Sequence, residues 1–358
     1  MSQKRKATGN PSDDAPKRHK ADFFSPRKKQ SPQISSGSSF QFKSKASRAC
    51  VRLTTWNVNG IMSLDEKILR RYLKAEDPDI LILTETKYSK EGRPDIMSLK
   101  TGFKYHCWGQ DPRSAYAGTA ILSKIKPLDA VIGLPSWKRQ STGRYVELEF
   151  EDVFVVGTYA PNAGTDFKNL EVKHQWNVAL KERLEELARK KPIIWGGDFN
   201  CIMSKQDLDG TAGKYWNQMA SLLAEERSAM NKILCPDASD QPVLVDVWRE
   251  KHPTEEEYTY VVEEMNAPAF NLQALKYKIR FLATGLFYLP QFNKKQKQLN
   301  RRCRNLEQIS ASLMDKVDTC EIRHELKDLK LSDHWPVTLD IRVDINRTPP
   351  PSGSQSDL

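Results

Sequence analysis

Short apolar runs bounded by turn-forming residues recur between residues 51 and 343. Runs rich in β-branched and aromatic residues are typical of β-strands. This pattern predicts strands at 51–57, 79–85, 117–123, 144–150, 153–159, 192–198, 316–323 and 336–343. Since the run at 79–85 is continuously apolar, we expect it to be a buried strand.

A second pattern, with apolar residues three or four positions apart, predicts helices between these strands. The segment 64–76 places Ile68, Tyr72 and Leu73 on one side. The segment 170–190 places its apolar residues on one face: Trp176, Leu180, Leu184 and Leu187. A further helix is expected at about 217–234. Strands and helices in mixed order predict a layered α/β body.

Composition indicates a globular body and excludes several classes of protein. The 358 residues are 39% hydrophobic and 28% charged. No apolar run approaches the roughly 18–20 residues that span a bilayer, and the N-terminus lacks the apolar core of a secretory signal. The six cysteines form no CxxC pair, which argues against a disulfide framework and against structural zinc. A reducing compartment is the simple inference.

Charge is concentrated at the N-terminus. Residues 1–50 hold 12 Lys and Arg against 3 Asp, a net charge of +9 out of +10 for the whole chain. Residues 51–358 therefore hold 44 basic and 43 acidic residues, a net of +1. The basic pI is mostly a property of this tail, so it gives no evidence that the folded body binds nucleic acid.

Both termini have the composition of disordered tails. Residues 1–48 are rich in Ser, Pro, Lys and Gln and poor in aliphatic residues, and residues 344–358 are similar. Basic clusters at 4–6 and 16–20, separated by a polar spacer, are typical of a bipartite nuclear import signal. A solvated, solubilising tail is the alternative. We expect a nuclear protein whose N-terminal tail could also contact repair proteins.

Polar residues stand where the predicted strands end or begin. They are Asn57, Glu85, Tyr159, Asp198, Asn200, Asp333 and His334. Each one alone could simply be a turn residue. Together they would gather at one rim of the sheets, and their oxygen-rich chemistry, without cysteine or clustered histidine, suits Mg²⁺ or Mn²⁺. The chain lacks the glycine-rich loops that bind nucleotide phosphates.

Five motifs carry a resemblance to a known family. They are TWNVNG (55–60), LTETK (83–87), TYAPNAG (158–164), GGDFN (196–200) and SDHWPV (332–337). Their order and rough spacing resemble those of the exonuclease III / abasic-site endonuclease family of the endonuclease/exonuclease/phosphatase superfamily. The resemblance covers about 51–260 and 309–343. It implies a four-layer α/β sandwich, two packed mixed β-sheets flanked by helices, as a single catalytic domain at 49–343.

The resemblance also implies roles at the metal site. Glu85 is similar to the main metal-binding carboxylate. Asp198 resembles the base that orients or deprotonates the attacking water. Further residues are implied as ligands of Mg²⁺, or of Mn²⁺ in its place, or as groups around it: Asn57, Asp198, Asn200, Asp333 and His334.

The remaining implied roles concern the phosphate. Asn200 resembles the amide donor that stabilises the pentavalent phosphorane, and His334 resembles the phosphate-contacting histidine. Tyr159 and Asn162 would contact the scissile phosphate, and Lys87 would add positive charge. Asp333 and His334 are expected on opposite faces of one short extended segment, so that Mg²⁺ and His334 can flank the same phosphate.

Three departures from the family pattern stand out. Met62 occupies a position where the family often has Arg. Tyr258-Thr259-Tyr260 is followed by Val and Glu instead of aromatic residues, which leaves the pocket for a base-less sugar in question. The carboxylate that pairs with the family's histidine is not visible, because the aligned positions hold Arg280 or Asn305.

The segment 268–306 is itself atypical. It contains nine Lys and Arg and no Asp or Glu. Either it is a basic insertion that grips the DNA backbone, or the deduced sequence contains a gene-model error such as a translated intron. The abrupt return of the family pattern at about 309 favours the second explanation.

The resulting prediction is a monomeric, Mg²⁺-dependent DNA phosphodiesterase of base excision repair. It would incise double-stranded DNA 5′ to an abasic site, with 3′-exonuclease or 3′-phosphodiesterase activity as an associated expectation, and would involve no membrane. Two alternatives are open. One is a phosphomonoesterase of the same superfamily, and the other is a non-catalytic or impaired DNA-binding relative.

Overall fold

A computed structural model describes most of the chain from residue 40 onward. The described residues are 40–45, 50–89, 94, 102–113, 115–137, 142–209, 212–235, 244–262, 277–279, 288–290, 313–329, 331–343 and 345. The predicted import signal lies outside them, as do Arg280, Asn305 and most of the atypical segment 268–306. No helix in this described part is long and apolar enough to cross a membrane.

The described residues contain fourteen strands and four α-helices. The strands are β1 (Cys50–Asn57), β2 (Ile80–Thr84), β3 (Tyr105–Gly109), β4 (Thr119–Ser123), β5 (Asp129–Ile132), β6 (Tyr145–Glu149), β7 (Phe154–Tyr159), β8 (Ile193–Asp198), β9 (Leu244–Asp246), β10 (Tyr260–Val262), β11 (Tyr277–Ile279), β12 (Tyr288–Pro290), β13 (Val317–Ile322) and β14 (Val337–Arg342). The helices are α1 (Glu66–Glu76), α2 (Leu170–Ala188), α3 (Ala224–Leu234) and α4 (Val247–Lys251).

Two mixed six-stranded sheets organise the fold. The first has the order β13-β14-β1-β2-β4-β3, and the second has the order β5-β6-β7-β8-β12-β9. Each sheet holds one parallel pair among antiparallel neighbours: β1 with β2 in the first sheet and β7 with β8 in the second. Strands β10 and β11 form a separate antiparallel pair. Parallel strands end at the same edge of a sheet, and this places the polar residues that follow them close together.

The two large sheets pack face to face. A Cβ atom added to Gly157 of β7 would lie 2.9 Å from Ile82 of β2 and 3.2 Å from Ile121 of β4, so glycine permits close approach of the sheets. Every residue of β1, β2, β4 and β8 is buried, as expected for strands covered on both faces.

Helices cover the outer faces of the sheets. Tyr72 of α1 packs edge-on against Trp56 of β1, with ring centroids 5.6 Å apart. On the other side, α2 lies against β8 and contacts α3. Its Trp176 packs edge-on against Trp137 at 5.5 Å. The expected arrangement of two mixed sheets flanked by helices is therefore confirmed.

The predicted elements agree with the structure apart from their ends and the shortest strands. The helix expected at 217–234 begins only at Ala224, because the preceding residues form turns around a small apolar cluster of Ile202, Leu208, Ala212 and Leu222. The short helix α4 and six strands have no counterpart among the predicted elements: β3, β5, β9, β10, β11 and β12. Each of these strands has only three to five residues. β5 lies at a sheet edge and is largely exposed, so burial does not impose an apolar pattern on it.

The segment 40–45, which composition assigns to the N-terminal tail, lies against α1. Phe40 and Phe42 stack on one another at 5.7 Å, and both meet the ring of Tyr72 edge-on. Lys45 donates hydrogen bonds to both carboxylate oxygens of Asp79, at 2.8 and 2.7 Å. These two aromatic rings give the segment 40–45 its apolar contact with α1.

Candidate active site

The polar residues singled out in the sequence follow the carboxyl ends of the parallel strand pairs. Asn57 ends β1 and Glu85 follows β2 in the first sheet, whereas Tyr159 ends β7 and Asp198 ends β8 in the second. Because the sheets face one another, these two edges meet. Hydrogen bonds across that junction show that the structure brings these residues together.

The side-chain amide of Asn57 joins the two sheets. Its Nδ2 donates to Glu85 Oε1 at 2.9 Å and to Asp198 Oδ2 at 2.7 Å. Both amide protons are thus used, one on each carboxylate. Two acidic groups from different sheets are held within reach of a single neutral donor.

The environment separates the pKa values of these two carboxylates. Burial, and then the negative charge of Glu85, raise the pKa of Asp198 to about 7. For Glu85, burial alone would raise the pKa, but the hydrogen bond from Asn57 and the positive charges of His334 and Lys87 outweigh it, so its pKa is lowered. Neighbouring acids whose pKa values are separated in this way are common in catalytic sites.

Asn200, at the start of the loop that follows β8, is held by hydrogen bonds of its backbone and of its side chain. Its backbone N–H donates to Asp198 Oδ1 at 3.0 Å, and its Nδ2 donates to the carbonyl of Ala160 at 3.0 Å. Its Oδ1 accepts from Asn162 Nδ2 at 2.8 Å. Asn162 and Asn200, predicted to contact the phosphate, therefore lie side by side.

Lys87 and Asp333 meet at Asn59, a residue that the sequence did not single out for a role. Lys87 Nζ lies 3.1 Å from Glu85 Oε2 and also donates to Asn59 Oδ1. Asn59 Nδ2 in turn donates to Asp333 Oδ1 at 3.2 Å. Lys87 thus supplies positive charge beside Glu85.

His334 is buried at the base of the site. Its backbone carbonyl accepts a hydrogen bond from the Trp56 indole at 2.9 Å, and its ring lies against Tyr260 with centroids 4.4 Å apart. Its Nε2 is 3.9 Å from Asp333 Oδ1, so these two side chains approach each other and the expectation that they occupy opposite faces is wrong. Burial lowers the pKa of His334, although Asp333 and Glu85 raise it in part.

Tyr159 is half-buried, and charged groups of both signs act on its phenol. Burial, Glu85 and Asp198 raise its pKa well above the usual value. Arg144 lies over the ring at 4.8 Å and donates to the Tyr159 carbonyl at 3.1 Å. A phenol in this environment stays protonated at neutral pH and can donate a hydrogen bond.

Left-handed backbone conformations cluster at the site. Four of its non-glycine residues have φ between 47° and 51°: Asn59, Glu85, Lys87 and Asn200. Such conformations cost free energy and persist where the surrounding structure enforces them, which is typical of functional sites.

The donor set is compatible with a hard divalent cation. No group of three or more His, Cys, Asp and Glu side chains within the described ranges meets the geometry of a metal site. Carboxylate and carboxamide oxygens are nevertheless the ligands that such cations prefer. Burial is the main cause of the raised pKa of Asp198 and repulsion from Glu85 is the second, and a cation between or beside the two acids would offset this repulsion.

Two cations that were not predicted contact this site, namely Lys173, which is paired with Glu226, and Arg144. Lys173 Nζ donates to the carbonyl of Asn200 and forms an ion pair with Glu226. One signal was available: Lys173 falls on the apolar stripe of α2, three residues before Trp176. No comparable signal marked Arg144.

Solved structures share this fold. An AP endonuclease from Archaeoglobus fulgidus superposes with a TM-score of 0.63, 21% identity, and coverage of 82% of this chain and 100% of that chain. A 3′ phosphatase from Neisseria, solved with a product DNA hairpin, superposes with a TM-score of 0.62 and 22% identity over 81% of this chain and 99% of that one. At such identities the likeness defines the fold, an α/β sandwich of the AP endonuclease type.

Sequence comparison places the chain in a family. Residues 54–234 match the model of the endonuclease/exonuclease/phosphatase family. An exodeoxyribonuclease of Bacillus subtilis is 34% identical over 205 residues, covering 57% of this chain and 76% of that protein. The DNA repair nuclease APEX1 of Danio rerio is 31% identical over 232 residues, covering 64% and 72%. The chain belongs to the endonuclease/exonuclease/phosphatase family and is a phosphodiesterase hydrolase.

Proposed function

We propose that the protein is a DNA repair nuclease that hydrolyses the phosphodiester bond 5′ to an abasic site, with Mg²⁺ as cofactor. The names of its relatives support a repair nuclease acting on DNA. The link from Glu85 through Asn57 to Asp198 is the observation that carries the proposal. It joins two acids of different pKa at the rim where the two sheets meet.

In this proposal Asp198 holds the attacking water and accepts its proton. Its pKa of about 7 lies near physiological pH, where a general base is most effective. Asn57 and the backbone N–H of Asn200 fix the carboxylate on both oxygens, so its orientation is set before substrate binds. Such fixed geometry reduces the reorganisation needed to reach the transition state.

Neutral and positive donors surround the place proposed for the phosphate. Tyr159 stays protonated because of its raised pKa, so its phenol can donate to a phosphate oxygen. Burial lowers the pKa of His334, and its ring donates an N–H in either protonation state when that nitrogen carries the proton. Asn200, Asn162 and Lys87 complete the proposed set of phosphate contacts.

Glu85 is proposed as the main ligand of the cation, since its lowered pKa keeps it ionised. The other groups proposed to hold or surround the cation are Asn57, Asp198, Asn200, Asp333 and His334. When bound, the cation would supply positive charge to the phosphate and screen the two acids from each other.

Import into the nucleus through the basic clusters of the N-terminal tail is a second part of the proposal. It rests on sequence, as does contact of that tail with repair proteins. We also propose a monomer with double-stranded abasic DNA as its partner. The catalytic domain is taken as residues 49–343, with residues 1–48 and 344–358 as tails.

The decisive experiment uses the purified full chain and a duplex with one abasic site, labelled at the 5′ end of the damaged strand. We expect a single product with a 3′-hydroxyl end immediately 5′ to the lesion, formed with Mg²⁺ and suppressed by a chelator. An intact duplex of the same sequence is the control.

The same assay separates the alternatives. Release of phosphate from a 3′-phosphorylated oligonucleotide or from an inositol phosphate, without incision at the abasic site, would identify a phosphomonoesterase. Binding of the abasic duplex without incision in either Mg²⁺ or Mn²⁺ would identify a non-catalytic relative. Either outcome would contradict the proposal.

A further inference from the structure

A lysine ammonium is buried directly behind the candidate active site. Lys173, in the first turn of α2, has a side chain that is only 1% exposed. Its Nζ donates to the backbone carbonyl of Asn200 and lies 2.6 Å from Glu226 Oε1. A buried charge is costly unless it is paired and hydrogen-bonded, so these two contacts account for its burial.

Glu226 connects this lysine to α3. Its side chain is fully buried, and its second carboxylate oxygen accepts from the backbone N–H of Leu223, at the N-terminus of α3, at 3.2 Å. The pair therefore ties together α2, α3 and the loop that follows β8. A cation attracted by both a carboxylate and a carbonyl fixes the direction of that carbonyl.

The carbonyl belongs to a residue whose other polar atoms are all directed at the site. The backbone N–H of Asn200 donates to Asp198, and its side chain bonds Ala160 and Asn162. Its backbone is left-handed, with φ of 48°. The carbonyl lies in the peptide that follows Asn200, so its direction is set by ψ of Asn200. The bond from Lys173 therefore helps to hold the left-handed conformation in which the N–H of Asn200 faces Asp198.

We infer that Lys173, held by Glu226, is a positioning residue that fixes Asn200 and through it the carboxylate of Asp198. This inference rests on the proposed role of these two residues in phosphodiester hydrolysis. Lys173 does not itself contact substrate. A displacement on the order of 1 Å at a reacting group can lower a rate a hundredfold, so the pair is expected to act on turnover and not on substrate affinity.

A second ion pair on the same helix offers a matched comparison. Arg183, ten residues after Lys173, pairs with Glu147 of β6 at 2.7 Å, with side chains 14% and 4% exposed. Like the first pair, it joins a cation of α2 to an acid of another element, here β6. It contacts none of the proposed site residues. Ten helical residues separate the two pairs by about 15 Å along the axis.

The test compares Lys173→Met/Glu226→Leu with Arg183→Met/Glu147→Leu in the full-length protein. Replacing both members of a buried pair by apolar residues leaves no unpaired charge and is often tolerated. We expect the first variant to lower kcat on the abasic duplex at least tenfold while KM changes by less than about twofold. The second variant should retain the kcat of the unmodified protein.

Selective ¹⁵N-asparagine labelling gives a readout that is independent of activity. The backbone and side-chain amide resonances of Asn200 should shift in the Lys173→Met/Glu226→Leu variant and stay in place in the Arg183→Met/Glu147→Leu variant. If the first variant does not fold, Glu226→Gln is measured instead, and it should show the same resonance shifts with a smaller loss of kcat.

Unchanged Asn200 resonances in the folded Lys173 or Glu226 variant would overturn the inference, as would an equal loss of kcat in the Arg183 variant. A purified protein that cleaves no phosphodiester would instead contradict the proposed function. In that case the Asn200 resonances still decide whether Lys173 positions this loop.

Discussion

The carboxamide of Asn57 donates hydrogen bonds to two carboxylates of the candidate site, which neither an acid nor an alcohol could do. Asn57 carries two amide protons and places one on Glu85 and the other on Asp198. An aspartate there would add a third negative charge, and a serine or threonine has one proton to donate. The identity of this side chain therefore decides whether two carboxylates can share the rim.

Glu85→Gln should abolish cation-dependent cleavage while leaving the fold intact. The substitution keeps the shape of the side chain but removes the charge that we propose binds the cation. We expect cleavage of abasic DNA to fall by roughly 10²–10⁴-fold, the scale of losing a principal electrostatic contributor. Single-turnover assays over a Mg²⁺ titration measure this.

Glu186→Gln is the matched control for that substitution, because Glu186 makes surface ion pairs with Arg183 and Lys190 on α2. Its turnover should equal that of the unmodified protein. Unchanged turnover of Glu85→Gln at limiting Mg²⁺ would show that Glu85 does not bind the cation.

Gly197, one residue before Asp198, should not tolerate a side chain. Its φ is +133°, and a Cβ atom would lie 2.0 Å from the carbonyl oxygen of Thr158 on the adjacent strand. Gly197→Ala is expected to lower the free energy of unfolding by more than about 1 kcal/mol, because it combines an unfavourable conformation with a backbone clash. Urea denaturation followed by circular dichroism measures the difference.

Gly213→Ala is the corresponding control, since nothing lies within 4 Å of the added atom. Its effect should stay within about 0.5 kcal/mol. Equal stability of the two variants would show that the strand pairing at Gly197 differs from the one described.

At the scale of elements, α2 illustrates how one helix serves both packing and the site. Its inner face buries Trp176, Leu180, Leu184 and Leu187 against the second sheet, and its first turn carries Lys173 to the Asn200 loop. Helical periodicity predicted the apolar face because burial repeats every three or four residues. It could not show that a lysine on the same face is buried.

Two substitutions on α2 should separate its inner and outer faces. Leu180 is 1% exposed, so Leu180→Ala should cost about 2–5 kcal/mol of unfolding free energy through lost burial and a residual cavity. Val178, two residues earlier, is 60% exposed, so Val178→Ala should change the free energy of unfolding by less than about 0.5 kcal/mol. Thermal or urea unfolding of both variants tests the predicted orientation, and similar losses would contradict it.

The strands differ in how well the sequence predicts them. Fully buried strands such as β2 and β8 read as continuous apolar runs, because both faces are covered. The edge strand β5 is largely exposed and carries no such signal. Pairing with β6, which is a tertiary contact, is what makes it a strand.

At the scale of the whole molecule, the charge of the tail can be separated from the folded body. Residues 1–39 hold nine Lys and Arg against three Asp, a net of +6. Deleting them should abolish nuclear accumulation of a fluorescent fusion and weaken non-specific DNA binding, with a shallower dependence of affinity on salt. Cleavage by the core at low salt should persist.

The truncation is placed at residue 39 because Phe40 and Phe42 pack on Tyr72. A variant lacking 346–358, which has no basic cluster, is the control and should remain nuclear. Normal nuclear entry of the protein lacking 1–39 would show that the import interpretation is wrong.

The sequence by itself determined the α/β class, most of the strands and the identity of the polar residues at their ends. It could do so because burial imposes a local period, and because residues that end parallel strands must share an edge. Only the tertiary structure decided which of these groups touch. Asn57 and Asp198 are 141 residues apart and belong to different sheets, and the 2.7 Å between them depends on how the sheets pack. The separation of the Glu85 and Asp198 pKa values and the burial of Lys173 have the same origin, since desolvation and charge proximity are properties of the assembled fold.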